Sequence, residues 1–255
     1  MTHPTVRAFE YWLTRYRRTW RGTAVTGLLA PVLFLAGMGL GLGGLIRTGT
    51  GTVEGLPYIE FLAPGLLAAT AMQTAIAEST WPVMAAIKWT RTYSAMLSSP
   101  LRVGDILAGH LGFIAFRVGL GAAGFLVAAA FFGVWSSPLV LFAVPVAVLI
   151  GLAFAAPVMA FSASLDSDVG FSLLYRLGVI PMFLFSGTFF PVSQLPGWMQ
   201  GVAVATPLYH GGVLCRALAT GHLSWAHLGH VAYLAVWLGI GVVLARRAYS
   251  RRMVR

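Results

Sequence analysis

Residues 177–215 read LGVIPMFLFSGTFFPVSQLPGWMQGVAVATPLYHGGVLC, a run of 39 positions that contains no Asp, Glu, Lys or Arg. A membrane-spanning helix needs about 20 apolar residues, so this run is too long for one simple crossing. Proline and glycine interrupt it at Pro191, Pro196-Gly197, Pro207 and Gly211-Gly212. The number of times that the run crosses the bilayer therefore decides the topology of the whole chain.

The composition of the chain places it in the membrane. Of its 255 residues 58% are hydrophobic and only 9% are charged, and the mean hydropathy is +0.82. Soluble domains carry about 25% charged residues, and disordered chains are poor in hydrophobic residues. The sequence therefore predicts an all-α polytopic membrane protein.

Four apolar stretches outside this run supply five more crossings. One crossing each is predicted for 22–46, 61–87 and 226–245, and 106–165 is long enough for two crossings around a turn at 133–138.

The basic residues set the orientation. Residues 1–22 and 246–255 each hold five arginines and residues 86–105 hold three basic residues, whereas the remaining loops hold only Arg47 and Arg216. The positive-inside rule then places both termini and the 86–105 loop in the cytoplasm. Two termini on one side require an even number of crossings, so six are predicted. The surplus, about 187–216, is expected to form an extracellular re-entrant helical hairpin between spans five and six. Because the basic residues flank apolar runs, the net charge of +10 does not indicate nucleic-acid binding.

The N-terminal segment is predicted to form an amphipathic helix at 1–22, in the cytoplasmic interface, ahead of a transmembrane domain at 23–255. Its apolar residues recur every three or four positions, which places them on one helical face: Val6, Phe9, Leu13, Tyr16 and Trp20. Anchoring in the interface and transmission of force both remain open as the role of this helix.

Motifs of nucleotide-binding and catalytic proteins give no support to an enzyme. The G-x-G-x-x-G pattern at 39–44 lies inside the first predicted span, where closely packed helices explain it better than a dinucleotide site. The sequence has no G-x-x-x-x-G-K-[ST], H-E-x-x-H or G-x-S-x-G pattern and a single cysteine, Cys215. Asp166 and Asp168 fit a solvated loop better than a Mg²⁺ site. We therefore expect no metal and no cofactor bound by this chain.

Three ionisable residues fall within predicted spans: Glu78, His110 and Arg117. Such groups are costly in the bilayer and usually pair inside the helix bundle. Because spans two and three are antiparallel neighbours, Glu78 is expected to meet His110, with Arg117 reaching toward them. A structural ion pair is one interpretation, a polar wall of the substrate path is another, and a proton relay, which would need more such groups, is a third.

Aromatic residues surround the predicted hairpin: Phe183, Phe185, Phe189, Phe190, Trp198 and Tyr209. They suit either a membrane interface or an outer gate on the path of an amphipathic solute. The histidines nearby, at 210, 222, 227 and 230, are interpreted as interfacial residues rather than metal ligands.

Several of these segments together resemble a known family. The pieces Ser186-Gly187-Thr188-Phe189-Phe190-Pro191, Leu195-Pro196-Gly197-Trp198, Thr206-Pro207-Leu208-Tyr209-His210 and Arg216-Ala217-Leu218 resemble the signature of type-2 ABC exporter permeases. Residues 95–105, AMLSSPLRVGD, are similar to that family's loop between spans two and three. Within the family the chain looks most like the membrane subunits of nodulation lipo-oligosaccharide exporters and of daunorubicin-type drug exporters. Thr206 departs from the pattern, since Asn is commoner before this proline.

The resemblance implies a half-transporter in a bacterial inner membrane. Its partners would be two copies of a separate ABC ATPase, which would bind ATP and Mg²⁺, and a second permease copy or a paralogue. The loop after span two would contain a coupling helix that docks on the ATPase, with contact residues Lys88, Trp89, Arg91, Tyr93, Met96 and Leu97.

The implied function is export of an amphipathic substrate such as a lipo-oligosaccharide, a lipid-linked glycan or a hydrophobic drug. Two alternatives remain open: an ATP-independent secondary transporter or channel, and an intramembrane enzyme. Neither has a clear motif in this sequence, since internal repeats and a nucleophile–base pair are both missing.

Overall fold

The computed structural model describes residues 3–37 and 52–253, and within these residues the chain is helical. The one β-type pairing in these two ranges is an isolated bridge between Val53 and Leu56. The α-helices are α1 Pro4–Tyr16, α2 Trp20–Ala36, α3 Tyr58–Ser79, α4 Trp81–Met84, α5 Thr92–Leu97, α6 Val103–Ala130, α7 Ala143–Ser164, α8 Val169–Leu173, α9 Ile180–Phe185, α10 Gly197–Val204, α11 Pro207–Thr220 and α12 His227–Met253.

Four helical segments among the described residues are long and apolar enough to cross a bilayer: Tyr58–Trp89, Val103–Ala130, Pro138–Ser164 and His227–Met253. The bent pair α10 and α11 would make a fifth if it is one span. The predicted first span is described only as far as residue 37, and the glycine pattern at 39–44 lies outside the described residues. The multi-pass helical architecture is confirmed, while the count of six remains a prediction.

The second predicted span is interrupted near its C-terminal end. α3 stops at Ser79, and Thr80 leaves the helical conformation with φ −99° and ψ −100° before Trp81-Pro82 restarts the helix as α4. Proline has no N–H to donate and clashes with the preceding turn, so a break here is expected. Ser162 of α7 donates a 2.7 Å hydrogen bond to the Ser79 carbonyl, which fixes the break against the core. A π-helical turn at Ala85–Trp89 then ends the segment.

The predicted turn between spans three and four is confirmed. α6 ends at Ala130, and Gly133 has a φ of +66° that L-residues rarely adopt. The Trp135 indole donates to the Leu126 carbonyl at 2.9 Å, and Ser137 caps the 3₁₀ turn Pro138–Phe142 that leads into α7. A short connection of this kind makes α6 and α7 antiparallel neighbours.

α7 lies at the centre of the bundle, with most of its residues buried. The last helix, α12, packs against it so closely that a Cβ atom on Gly241 would lie 2.5 Å from Pro157 Cδ. A glycine here permits backbone contact between spanning helices. α12 extends beyond the predicted 226–245 to Met253, which brings Tyr249 into the core with none of its surface exposed.

The N-terminal helix α1 has two apolar sides. Its buried side is Ala8, Trp12 and Tyr16, four residues apart, and a Cβ on Gly109 of α6 would lie 2.5 Å from Ala8 Cβ. The predicted face differs, because Val6 is exposed while Phe9 and Leu13 are half-buried. The buried side packs on α6, and two residues of the predicted face pack there too, since Phe9 contacts Phe116 at 6.4 Å and Tyr16 contacts Phe113 at 6.0 Å.

The run at 177–215 folds as two pieces around a turn. α8, a π-helical turn and α9 form one apolar helical segment over Val169–Phe185, and α10 and α11 meet at 79°. Thr206 occupies the bend, where its hydroxyl accepts the Tyr209 N–H at 3.4 Å ahead of Pro207. This geometry suits either a broken span or a re-entrant hairpin, and the hairpin remains a prediction.

Candidate functional site

The loop between the second and third spans forms a short helix, α5, separated from the preceding helix by a sharp turn. Arg91 makes the turn, in the left-handed region with a φ of +48°. The outward side of this loop is exposed at Trp89, Arg91, Ser94 and Ala95, with Trp89 showing 62% of its surface. A large exposed aromatic beside a cation is typical of a protein-contact surface.

Tyr93 does not belong to that exposed side, contrary to the expectation from the sequence. Its ring is fully buried, and its hydroxyl lies 2.6 Å from His110 Nδ1 of α6 and 3.4 Å from the Tyr249 hydroxyl of α12. Burial raises the pKa of Tyr93 well above its ordinary value, so the hydroxyl stays protonated. Tyr93 therefore attaches α5 to two spanning helices. Met96 and Leu97, half-buried, also pack against the core rather than facing outward.

Trp12 of α1 closes this buried cluster. Its ring stacks on His110 with centroids 3.9 Å apart, and it also contacts Phe113 at 5.9 Å. The histidine is thus held between a tryptophan from the N-terminal helix and a tyrosine from α5. We call Trp12, Tyr93, His110 and Tyr249 the aromatic cluster.

Hydrogen bonds at its edge join the same helices. Thr5 donates to Asp105 at 3.0 Å, while the second carboxylate oxygen of Asp105 accepts the Arg102 N–H that begins α6. Tyr11 of α1 and Thr92 of α5 share a 3.3 Å contact between hydroxyls. The N-terminal helix therefore contacts α5 and α6 together.

Lys88 is occupied by a contact within the chain. Its ammonium group donates to the Asp166 carbonyl and lies 3.8 Å from the Asp166 carboxylate, which also accepts Arg252 Nη2 at 2.7 Å. The hydrogen bond from Arg252 and the charges of Arg252 and Lys88 hold the pKa of Asp166 below its ordinary value. The Asp166 carboxylate is exposed but paired. It links the loop after α7 to Lys88 at the end of the second spanning segment and to Arg252 near the end of α12.

The intramembrane ion pair forms between different partners from those expected first. Arg117 Nη1 lies 3.1 Å from Glu78 Oε1, and the Arg117 guanidinium stands 4.6 Å from the Tyr16 ring centroid. His110 contacts Tyr93 and Trp12 instead of Glu78. Both members of the pair are largely buried, with 18% and 15% of their side chains exposed. The pair therefore joins α3 to α6 and places α1 against both.

The predicted outer-gate residues form two pairs and two separate residues. Phe183 and Phe189 meet edge to face at 4.9 Å, with Phe34 of α2 5.5 Å from Phe189. Phe185 and Phe190 lie 6.4 Å apart. Trp198 stands away from both, 74% exposed, and Tyr209 contacts His210 and His230.

Arg216 holds the turn that precedes the bent pair α10 and α11 against α3. Its Nη2 donates to the Gly187 carbonyl at 3.0 Å and to the Phe61 carbonyl at 3.5 Å, and its guanidinium lies 4.0 Å from the Phe61 ring centroid. Beside it opens a cavity of about 620 Å³, whose lining includes Glu54, Ser186, Tyr209, His222 and His227. Sequence reasoning placed Arg216 in a loop, although its charge among apolar neighbours was a usable signal.

The outer histidines form a contact of their own. His210 Nδ1 and His230 Nδ1 lie 2.6 Å apart, and Tyr233 stacks on His210 at 3.9 Å. Among the described residues no group of three His, Cys, Asp or Glu side chains is arranged to hold a metal ion.

Known proteins are similar to this chain over nearly its whole length. The family model described as ABC-2 type transporter matches residues 8–218. The chain is 35% identical over 251 residues to nodulation protein J of Rhizobium leguminosarum bv. trifolii, covering 96% of this chain and 94% of the relative. It is 33% identical to nodulation protein J of Rhizobium meliloti strain 1021, covering 95% and 94%. It is 25% identical over 207 residues to the inner membrane transport permease YadH of Escherichia coli K12, covering 77% and 75%.

Proposed function

The chain belongs to the ABC-2 type transporter family and is the membrane subunit of an ABC transporter, and from this premise we propose that it is the permease of an exporter in the bacterial inner membrane. Its substrate is amphipathic, such as a lipo-oligosaccharide, a lipid-linked glycan or a hydrophobic drug. The observation that carries the proposal is that α5 and the turn before it face in different directions. The turn exposes Trp89 and Arg91, while α5 is bonded into the bundle through Tyr93.

The energy source is a separate ABC ATPase, present in two copies, that binds ATP and Mg²⁺. The chain has no P-loop sequence, so ATP hydrolysis has to come from a partner. A second permease copy or a paralogue completes the membrane part. The exposed turn before α5 docks on the ATPase, with Trp89 as the apolar contact and Arg91 as the charged one.

Movement of α5 reaches the membrane through the aromatic cluster. Tyr93 holds α5 to His110 of α6 and to Tyr249 of α12, and Trp12 adds α1 to the same unit. Because these contacts are buried and polar, a displacement of α5 either carries the spanning helices with it or breaks hydrogen bonds. The N-terminal helix thereby acts in force transmission as well as in anchoring.

Both termini and α5 lie in the cytoplasm in this proposal, and the bent pair α10 and α11 lies at the outer leaflet. Phe183, Phe189 and Tyr209 then stand where the substrate leaves the protein. The Glu78–Arg117 pair acts as a structural link, since each charge already has its partner. This pairing also argues against a proton-driven transporter, which needs ionisable groups free to change protonation.

Purification of the tagged chain from native membranes tests the partnership. We expect an ABC ATPase to co-purify, and Arg91→Glu to remove it because the substitution reverses the charge at the centre of the exposed side. Arg18→Glu, which reverses an exposed charge on the N-terminal segment, is the matched control and is expected to keep the partner. Co-purification that Arg91→Glu leaves unchanged contradicts the docking role.

Inverted membrane vesicles test the direction and the energy source. We expect ATP-dependent accumulation of a fluorescent amphipathic drug, lost with Arg91→Glu and kept with Arg18→Glu. Flux that persists without ATP under a proton gradient would instead support the secondary transporter.

A further inference from the structure

A groove of about 660 Å³ runs between α7 and α12 near their ends at Ser164 and Met253. It includes Pro157, the residue that Gly241 touches, so the groove begins where the two helices are in close contact. Phe161 and Leu244 form apolar walls, and each remains partly exposed, at 38% and 46% of its surface. The end of the groove is lined by Arg247, Arg251 and Arg252.

Two of these arginines have no acidic partner. Arg252 pairs with Asp166, but in the described ranges 3–37 and 52–253 no salt bridge involves Arg247 or Arg251. They are four residues apart on α12, so their guanidinium groups project from the same side of the helix, one turn apart. Both side chains are exposed. The groove therefore combines two available cations with an apolar trough.

We propose that this groove binds one anionic glycerophospholipid from the leaflet that borders the C-terminal end of α12. The phosphate lies between Arg247 and Arg251, because arginine donates paired hydrogen bonds that match phosphate oxygens. An acyl chain lies along Phe161 and Leu244. Basic pockets between spanning helices on the cytoplasmic side are suited to acidic headgroups.

The apolar walls decide between a lipid and a soluble anion. A free phosphate would satisfy the two guanidinium groups but would leave Phe161 and Leu244 uncovered. A phospholipid covers both parts at once, and the groove lies at the ends of two helices long and apolar enough to cross a bilayer, where headgroups are expected. The inference is independent of the transported substrate.

Native mass spectrometry of the full chain tests the site, after reconstitution in phosphatidylcholine nanodiscs containing phosphatidylglycerol. We expect one phosphatidylglycerol retained per chain, and about a 30-fold loss of affinity for Arg247→Gln/Arg251→Gln, because each juxtamembrane cation contributes to anionic-lipid attraction. Arg17→Gln/Arg18→Gln removes the same charge from the N-terminal segment and is expected to change affinity less than twofold.

A second variant separates the groove from general surface charge. Ser164→Trp fills the groove from an exposed position without changing the net charge, and it should also displace the retained lipid. Equal losses in the two arginine pairs, equal retention of phosphatidylcholine, or displacement of the lipid by 10 mM inorganic phosphate would each overturn the proposal.

Discussion

The hydroxyl of Tyr93 lies 2.6 Å from Nδ1 of His110, although 16 residues separate them along the chain and both side chains are fully buried. We expect Tyr93→Phe to leave the histidine nitrogen without a partner and to lower the free energy of unfolding by about 1–3 kcal/mol. Substrate-stimulated ATP hydrolysis by the assembled transporter should fall further than the amount of ATPase bound.

The matched control for this substitution is Tyr233→Phe. It removes a tyrosine hydroxyl that donates to the Ala205 carbonyl at 2.6 Å, close to the bend between α10 and α11. Equal loss of stimulated ATP hydrolysis in the two variants would show that Tyr93 has no special role in coupling.

The attachment of α1 depends on one tryptophan. Trp12 is 2% exposed and stacks on His110, whereas Trp20 is 49% exposed. Trp12→Ala should lower the free energy of unfolding in mixed micelles by about 3–5 kcal/mol, and Trp20→Ala should have a much smaller effect. Similar losses for both would mean that α1 is held by the interface rather than by α6.

The Glu78–Arg117 pair is expected to act as a unit. Removing one partner of a fully buried ion pair costs about 3–5 kcal/mol, and less is expected here because both groups are slightly exposed. Glu78→Gln or Arg117→Gln alone should therefore destabilise more than the double substitution does. Additive effects in this double-mutant cycle of thermal unfolding would argue against a structural pair.

Asp166 gives a defined pH dependence. Its pKa is lowered by Arg252 and Lys88, so the carboxylate contributes stability above the unfolded-state pKa, and the contribution disappears as the pH falls through the folded-state value. The difference in melting temperature between the unsubstituted chain and Asp166→Asn should stay constant from pH 8 to pH 5, begin to shrink near the unfolded-state pKa of about 4, and disappear only below the lower folded-state pKa. Asp168→Asn, in the same exposed loop, should show no difference. A difference that changes between pH 8 and pH 6 would point to another group.

The sequence predicted the elements better than their contacts. Length and composition identified spans at 61–87 and 106–165, because a run of apolar residues has few alternatives to crossing the bilayer. The pattern predicted a span at 226–245 but not how far its helix continues, since the charges at Arg246-Arg247 suggest a membrane boundary and do not end a helix. Its continuation to Met253 is what brings Tyr249 to Tyr93.

Contacts between segments that are distant along the chain could not be predicted from the sequence alone. Trp12 was not assigned to a face, because the stripe Ala8-Trp12-Tyr16 becomes visible only when α6 supplies its partner surface at Gly109. Tyr93 was assigned to the docking surface because hydropathy cannot distinguish the two sides of a six-residue helix. A partner for Glu78 on the neighbouring span was predicted correctly. Which side chain of that span it contacts depends on how the two helices are rotated about their axes, and this rotation cannot be read from the sequence.

The loop between the second and third spans contains two kinds of residue. Tyr93 is buried inside the protein, whereas Trp89, Arg91 and Ser94 are exposed. If a partner ATPase docks on this loop as proposed, the exposed positions can diverge without disturbing the fold. Exchanging them alone would then offer a route to orthogonal transporter pairs, in which each permease works with a single ATPase in the same cell.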